Sequence, residues 1–505
     1  MFFYFRIAKI EHLSVLNNKT TFFCFSGAMI DPLLQDIAAH FPFEPTSEQT
    51  VAMNRLAIFV NDPAPRQLFL LKGYAGTGKT VIISSLVRTL VSHHRRVVLM
   101  APTGRAAKVF SNTSGFPACT IHKKIYRQKS ILDAGSFQLD RNMHEHTLFL
   151  VDEASMISNE GLSGSMFGTG RLLDDLVSYV YSGVGCRLLM MGDQAQLPPV
   201  GEHESPGLSA RFMASYGLNV TEFCLENVMR QMQESGILHN ATALRDYARG
   251  LGEPGGFRFK LAGFKDVVKI SGNDLIETLS GCYSRDGIDE TMVLCRSNKR
   301  ANIYNNGIRS QILDREDELN RGDSIMIVKN NYYWTERLVA DEGADSYLNL
   351  PSFIANGDIA VIRRVRRMRE LYGFRFEDAV LSFPDYGDLE MDVTLLMDTL
   401  HSEAPSLTRE ESDKLFGAVM EDYADVPDKK EKMKRLRENP HFNALQIKYA
   451  YAVTCHKAQG GQWKNIFIDQ GYIPEDGRDE DYYRWLYTAL TRATQTVYLV
   501  NWPDM

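Results

Sequence analysis

Residues 73–80 of this 505-residue chain read Gly73-Tyr74-Ala75-Gly76-Thr77-Gly78-Lys79-Thr80. Glycines at this spacing let the backbone wrap an anion so that several N–H groups point at it together. Lys79 adds a mobile positive charge for the outer phosphates of a nucleotide, and the Thr80 hydroxyl can hold Mg2+. Acting on such a phosphate also needs a metal ligand and a group that orients or deprotonates water. Asp152 and Glu153, side by side in Asp152-Glu153-Ala154-Ser155, offer two carboxylates for these tasks: Asp152 for the metal and Glu153 for the water. Gln196 lies in the segment GDQAQLPPV (192–200). Its amide can report whether a γ-phosphate is present, and the two prolines stiffen the segment that carries the signal. The ordinary alternatives are a fortuitous glycine turn and two solvated acids at a strand end.

Elements of the right kind surround these residues. The run Gln67–Lys72 (QLFLLK) predicts a buried parallel strand, and Val81–Val91 repeats its apolar residues at helical spacing. The loop thus joins a strand to a helix N-terminus, where the helix dipole adds to the field of the backbone amides. Thr147–Val151 and Cys186–Met191 predict two more strands, which deliver the paired acids and the Gln196 segment at their C-terminal tips. Arg96–Met100 predicts another, followed by Ala101-Pro102-Thr103-Gly104-Arg105. Pro45-Thr46-Ser47-Glu48-Gln49 caps a helix through about Ile58. The class is α/β, with the nucleotide at the carboxyl ends of parallel strands.

In chain order, GYAGTGKT, APTGRAAK, TIH, VDEAS, GDQAQLPPV, TCHKAQG and YTALTRA resemble the superfamily 1 DNA helicases, most of all the RecD/Dda/Pif type with a UvrD-like C-terminal domain. The resemblance covers about Thr46–Val500, nearly the whole chain. It implies two RecA-like P-loop domains, ATP and Mg2+ as cofactors, and movement along single-stranded DNA that drives duplex unwinding. Travel is expected 5′ to 3′ from the resemblance, since motif spacing alone gives no polarity. It further implies that Gln49 reads the adenine edge; a surface glutamine in a first helical turn is the plainer reading.

Phosphoryl transfer develops charge on the γ-phosphate oxygens, and an arginine brought to them accelerates it. Arg230, opening the second unit, and Arg492, a lone charge in the apolar stretch Leu486–Ala493, are the candidates, against ordinary surface arginines. The resemblance places strand contacts at Thr103, Arg105, Thr120, His122, Thr454 and His456, any of which could instead make structural hydrogen bonds. Lys457, Gln459 and Gly460 could equally serve the nucleotide. The resemblance also implies a duplex-splitting hairpin pin over residues 123–146, with Phe137 as its expected apolar tip. The run Arg363–Arg369 is either a nucleic-acid contact or a solvated strand edge.

The expected boundaries are an N-terminal extension over 1–40 and a first RecA-like domain over 41–218. The second domain is expected over 219–308 and 441–505, with a β-rich, SH3-like insertion at 309–440 whose tail, Ser406–Asn439, is charged and helix-prone. The first 28 residues, aromatic and apolar in patches, read as disordered or as the product of an upstream start codon. A formal net charge of −7, with 44% hydrophobic and 24% charged residues, excludes a protein coated in basic groups but not a narrow basic groove for a strand. The 7 cysteines lack a CxxC pair, so no zinc site is expected and a reducing cytoplasm is. No membrane span is expected, since no apolar run reaches about 18 residues. Single-stranded DNA and single/double-strand junctions are the expected partners, with replication or repair proteins as candidates, and a monomer is the expected state. An RNA-directed superfamily 1 helicase and an ATPase switch independent of nucleic acid remain alternatives. A nuclease is not expected, because no further carboxylate cluster follows the motifs.

Overall fold

The computed structural model describes residues 32–128, 137–161, 168–228, 234–252, 257–342, 351, 353–474 and 477–502. Helix Pro32–His40 comes first and buries Leu33 and Ile37. Helix Ser47–Asn61 follows, opened by a capping box in which the Thr46 hydroxyl accepts from the Gln49 N–H and the Gln49 side chain accepts from the Thr46 N–H. Next come β1 (Gln67–Gly73), β2 (Arg96–Ala101), β3 (Ala118–Thr120), the short β4 (Tyr126–Gln128) and β5 (Phe137–Leu139), then β6 (Thr147–Val151), β7 (Arg187–Gly192) and β8 (Asn219–Leu225). Six of these form a sheet in the order β3-β2-β6-β7-β1-β8, with every ladder parallel. All five residues of β6 are buried, as expected for a parallel sheet covered on both faces. The order sets β6, β7 and β1 side by side, so the segments leaving their C-terminal ends converge.

A second parallel sheet starts with β9 (Val267–Ile270) and β10 (Thr291–Cys295). The chain then leaves it to build a closed barrel from β11 (Ser324–Ile327), β12 (Ile359–Leu371), β13 (Phe374–Phe383), β14 (Leu389–Leu396) and β15 (Leu445–Tyr449). It returns through β16 (Ala452–Thr454), β17 (Trp463–Asp469) and β18 (Ala493–Val500), completing the order β16-β10-β17-β18-β9. The architecture is two RecA-like α/β lobes with a β-barrel inserted in the second. A buried Asp323 anchors the barrel to the second lobe: its carboxylate pairs with Arg309 and Arg315 and accepts from the Tyr451 hydroxyl. Among the described residues no helix is long and apolar enough to cross a membrane, and no cluster of His, Cys, Asp and Glu suits a metal.

Several expected boundaries shift. The first lobe does not end at 218: Asn219–Leu225 pairs in parallel with β1, from Gln67 opposite Asn219 to Gly73 opposite Leu225. A short strand-forming run such as NVTEFCL looks the same in sequence whichever lobe it joins. Residues 32–40 are a packed helix of the first lobe rather than part of an extension, while residues 1–31 lie outside the described set. The barrel closes only with β15, beyond residue 440. The charged tail forms helices Arg409–Glu421 and Lys429–Arg437.

The arginine run lies in the part of β12 that pairs with β13 alone, since β11 pairs only with Ile359–Val361. Arg363 approaches Glu390 and Asp388, Arg366 pairs with Asp392, and Arg369 with Asp378, so these three arginines face acids of the insertion itself.

Candidate active site

The P-loop leaves β1 through Gly76 and Gly78, whose φ angles of +75° and +86° lie in the left-handed region that favours glycine. Gly78 then caps helix Lys79–Ser92. Lys79 is folded onto its own loop, its Nζ donating to the carbonyl oxygens of Gly73 at 2.5 Å and Tyr74 at 3.0 Å. The Thr77 hydroxyl also donates to the Tyr74 carbonyl, at 2.8 Å. Gln49 is buried and its side-chain nitrogen donates to the Thr77 carbonyl at 3.0 Å. Both ends of its amide are thereby used, one in the helix cap and one on the P-loop. In this conformation Gln49 braces the loop and presents no open edge to a base.

Asp152 and Glu153 stand where β6 ends. Asp152 Oδ1 accepts from the Glu153 N–H at 2.7 Å, and Glu153 takes a left-handed backbone with φ of +50°, an uncommon state for a residue with a Cβ. Burial pushes the Asp152 carboxyl up to about 7, the Glu153 charge adds to the rise, and Lys79 and Arg492 oppose it. An acid in this setting is one that a divalent cation would return to its charged form. Gln196 follows β7, is 6% exposed, and its Oε1 has no hydrogen-bond partner among the described residues. A buried acceptor left open beside the P-loop fits a site built for a phosphate-bound water or metal hydrate.

The second lobe closes over this face. Arg492 is 3% exposed, at the turn between helix Glu480–Leu490 and β18. Its Nε donates to the Thr488 carbonyl and its Nη1 to the Gly461 carbonyl, and the same Nη1 lies 3.8 Å from Glu153 Oε1 of the first lobe. It is therefore not a surface arginine. Arg230, the other candidate, lies outside the described residues. A Cβ added to Gly76 would meet the Leu238 side chain at 2.8 Å, so helix Gly236–Ala248 of the second lobe rests on the P-loop. Arg245 of that helix stacks on the Tyr74 ring at 4.5 Å. A cavity of about 730 Å3 borders the P-loop between the lobes, lined by Lys72, Tyr74, Ser155, Gln196, Arg245 and Arg249 among others.

Sequence reasoning named Gln459 but missed Tyr487 and Thr488, which join the lobes at the Gln196 segment with it. Thr488 Oγ1 accepts from the Leu197 N–H at 2.8 Å, and Gln459 Nε2 donates to the Leu197 carbonyl at 2.7 Å. The Tyr487 hydroxyl touches both Ala75 and Asp193. Such contacts join residues 262 to 412 positions apart in the chain, and no local pattern reveals them. Gln459 is thus tied to the Gln196 segment, whereas the Lys457 Nζ is buried without a hydrogen-bond partner among the described residues.

The candidate strand-contact residues fall in two groups. Thr103 and Thr120 cap helices, accepting from Ala106 and Lys123 N–H, which is the structural role each could have instead. Thr454 starts helix Cys455–Ala458 without a side-chain cap, and His456 beside it is exposed. Arg105 crosses between the lobes: its guanidinium lies 4.2 Å from the Trp463 ring centre and Nη2 donates to the Gln462 carbonyl. A Cβ added to Gly460 would come within 3.3 Å of Thr103 Oγ1. The two lobes therefore bring Thr103 and Arg105 of one against Gly460–Trp463 of the other. His122 packs edgewise on Phe353, and burial pushes its imidazole down to about 4, so it stays neutral.

The hairpin at 126–139 exists, with Gln128 opposite Phe137 and Tyr126 opposite Leu139. Its turn, 129–136, lies outside the described residues. Phe137 is not an exposed tip. It is 8% exposed and its ring meets Tyr332 at 4.7 Å, because an apolar ring at the hairpin base finds an aromatic partner on the insertion.

Residues 46–252 match the family described as an AAA domain, and residues 449–500 match the UvrD-like helicase C-terminal domain. An uncharacterized protein of Acanthamoeba polyphaga mimivirus is 21% identical over 89% of this chain and 98% of its own length. The ATP-dependent RecD2 DNA helicase of Deinococcus radiodurans is 29% identical over 36% of this chain, and the ATP-dependent DNA helicase dda of Enterobacteria phage T4 is 23% identical over 51%. This chain spans only 22% and 55% of those two relatives. Among solved structures, a Pif1 helicase from Bacteroides in complex with ADP-AlF3 and ssDNA aligns over 92% of this chain and 94% of its own, at 15% identity and a TM-score of 0.45.

A P-loop on one RecA-like sheet, closed over by a second RecA-like lobe that carries a buried arginine, defines a two-lobed P-loop nucleoside-triphosphatase fold. Within that class the two matched domains and the ordered motifs resemble those of superfamily 1 helicases of the RecD/Dda/Pif type.

Proposed function

We propose that this protein is an ATP-dependent DNA helicase that moves along single-stranded DNA, 5′ to 3′, and couples ATP hydrolysis to duplex unwinding. The observation that carries the reading is Arg492 of the second lobe, buried and 3.8 Å from Glu153 of the first. Three relatives that match parts of this chain are named as ATP-dependent DNA helicases, which favours DNA over RNA.

In this reading the amides of residues 73–80 and Lys79 cradle the triphosphate, with Thr80 and Asp152 as the ligands for Mg2+. When bound, that ion neutralises charge on the β- and γ-phosphate oxygens. Glu153 orients the attacking water and takes its proton, while Gln196 holds that water or the γ-phosphate. Arg492 meets the charge that develops on the transferring group, with Arg230 as its proposed companion. Because Arg492 and Glu153 belong to different lobes, cleavage and product loss change the attraction between the lobes. Opening and closing of the cleft then become steps along a strand held by Thr103, Arg105, His122, Thr454 and His456. Separating a base-pair step costs on the order of 1.4 kcal/mol, which hydrolysis and a hairpin braced at Phe137 can supply together.

The test is strand displacement on two partial duplexes, one with a 5′ tail and one with a 3′ tail. Unwinding from the 5′ tail with ATP, lost in Lys79→Ala, is expected. Unwinding only from the 3′ tail overturns the direction, and ATP turnover stimulated by poly(U) but not poly(dT) overturns the substrate.

A further inference from the structure

The Tyr487 hydroxyl sits where three functional segments meet. It comes from the second lobe, on helix Glu480–Leu490, five residues before Arg492. Its ring is 1% exposed. The oxygen accepts from the Ala75 N–H of the P-loop at 2.9 Å and donates to Asp193 Oδ2 at 2.6 Å. Asp193 is itself buried, and its other oxygen accepts from the Ala195 N–H at 2.9 Å, while its carbonyl oxygen accepts from the Gln196 N–H at 3.4 Å. One hydroxyl therefore links a phosphate-loop amide to the carboxylate that shapes the turn carrying Gln196.

Chemistry makes this link sensitive to what occupies the loop. Backbone N–H groups of a P-loop are the donors that a triphosphate takes up, so a phosphate oxygen and the Tyr487 oxygen compete for the loop around Ala75. A shift of that amide changes how strongly the hydroxyl is held on Asp193. The neighbouring contacts keep the tyrosine from simply following: Thr488 and Gln459 fix Leu197 from the same side, at 2.8 and 2.7 Å.

We propose that Tyr487 is a positioning residue that conveys the phosphate state of the P-loop to Asp193 and so sets Gln196 for hydrolysis. The proposal rests on the ATPase reading above. It adds a residue whose effect on turnover runs through Asp193 rather than through contact with the nucleotide.

The test compares wild type, Tyr487→Phe, Asp193→Asn and the double variant, with Lys79→Ala as the inactive control. Three quantities are read: melting temperature, affinity for a fluorescent, slowly hydrolysed ATP analogue, and ATP turnover with and without poly(dT). Phenylalanine keeps the ring packing and removes only the oxygen. Tyr487→Phe is expected to melt within a few degrees of wild type and to bind the analogue within about twofold. Its kcat with poly(dT) should fall about tenfold, the size of one lost hydrogen bond to a charged group, with the KM for ATP little changed. The double variant should lose no more than the worse single variant, since both cut one path. Equal kcat for Tyr487→Phe and wild type, or losses that multiply in the double variant, overturns the role. A wild type without ATP turnover, against which Lys79→Ala makes no difference, overturns the ATPase reading and this proposal with it.

Discussion

Glu153 and Gln49 show how much of the site rests on single side chains doing unusual things. Glu153 holds a left-handed backbone at the end of a fully buried strand, which directs its carboxylate toward Arg492 across the cleft. Gln49 uses both ends of one amide, closing a helix cap and bracing the P-loop at Thr77. Gln49→Ala removes half the capping box and leaves the Thr77 carbonyl with one donor fewer. The expected cost is about 1–2 kcal/mol of stability, read as a lower midpoint in urea unfolding. Weaker ATP-analogue binding should accompany it, and an unchanged midpoint would show that the brace contributes nothing. The placement of Lys79, Asp152 and Glu153 close behind strand ends was legible in the sequence because an apolar run precedes each motif. What Gln49 touches was not legible, since a capping glutamine and a base-reading glutamine occupy the same place in the chain.

Parallel strands with continuous apolar runs announced themselves, and the order β6-β7-β1 explains why three separated motifs converge. The lobe to which Asn219–Leu225 belongs was hidden, because pairing with β1 is a long-range choice. The barrel was visible only as β-rich sequence; closure depends on β15 meeting both β11 and β14, some 120 residues after the first strand. The hairpin base and the barrel make contact through Phe137 and Tyr332. Phe137→Ala is expected to loosen that brace while leaving the P-loop untouched. Poly(dT)-stimulated ATP turnover should stay within about twofold, and displacement from a 5′-tailed duplex should fall several-fold; aromatic pairs of this kind contribute about 0.5–1.5 kcal/mol beyond their burial. Loss of both activities in step would contradict a separate role for the hairpin. Helix Gly104–Ser114 meets the barrel just as closely. A Cβ at Gly104 would stand 2.8 Å from the Tyr386 hydroxyl and 3.1 Å from Asp358 Oδ1, so Gly104→Ala should destabilise by about 1–3 kcal/mol, seen as a lower melting temperature.

Across the whole molecule, the cleft is held from two sides: Arg492 with Tyr487 and Thr488 over the P-loop, and Arg105 on Trp463 beside the candidate strand path. In the proposed reading, nucleotide chemistry and strand grip are fastened to the same pair of lobes, so that motion at one would be felt at the other. Removal of divalent metal with a chelator is expected to stop ATP turnover, because Asp152 is a buried acid that a divalent cation returns to its charged form; turnover that persists in chelator would refute its assignment to the metal. The most direct test of the shared cleft is single-turnover ATP hydrolysis by Arg492→Ala with poly(dT) present, alongside its affinity for a slowly hydrolysed ATP analogue. A guanidinium that meets the transferring phosphate predicts a rate lower by about 10³-fold or more, with analogue affinity altered only several-fold. A rate close to wild type would mean that the second lobe takes no part in the chemistry.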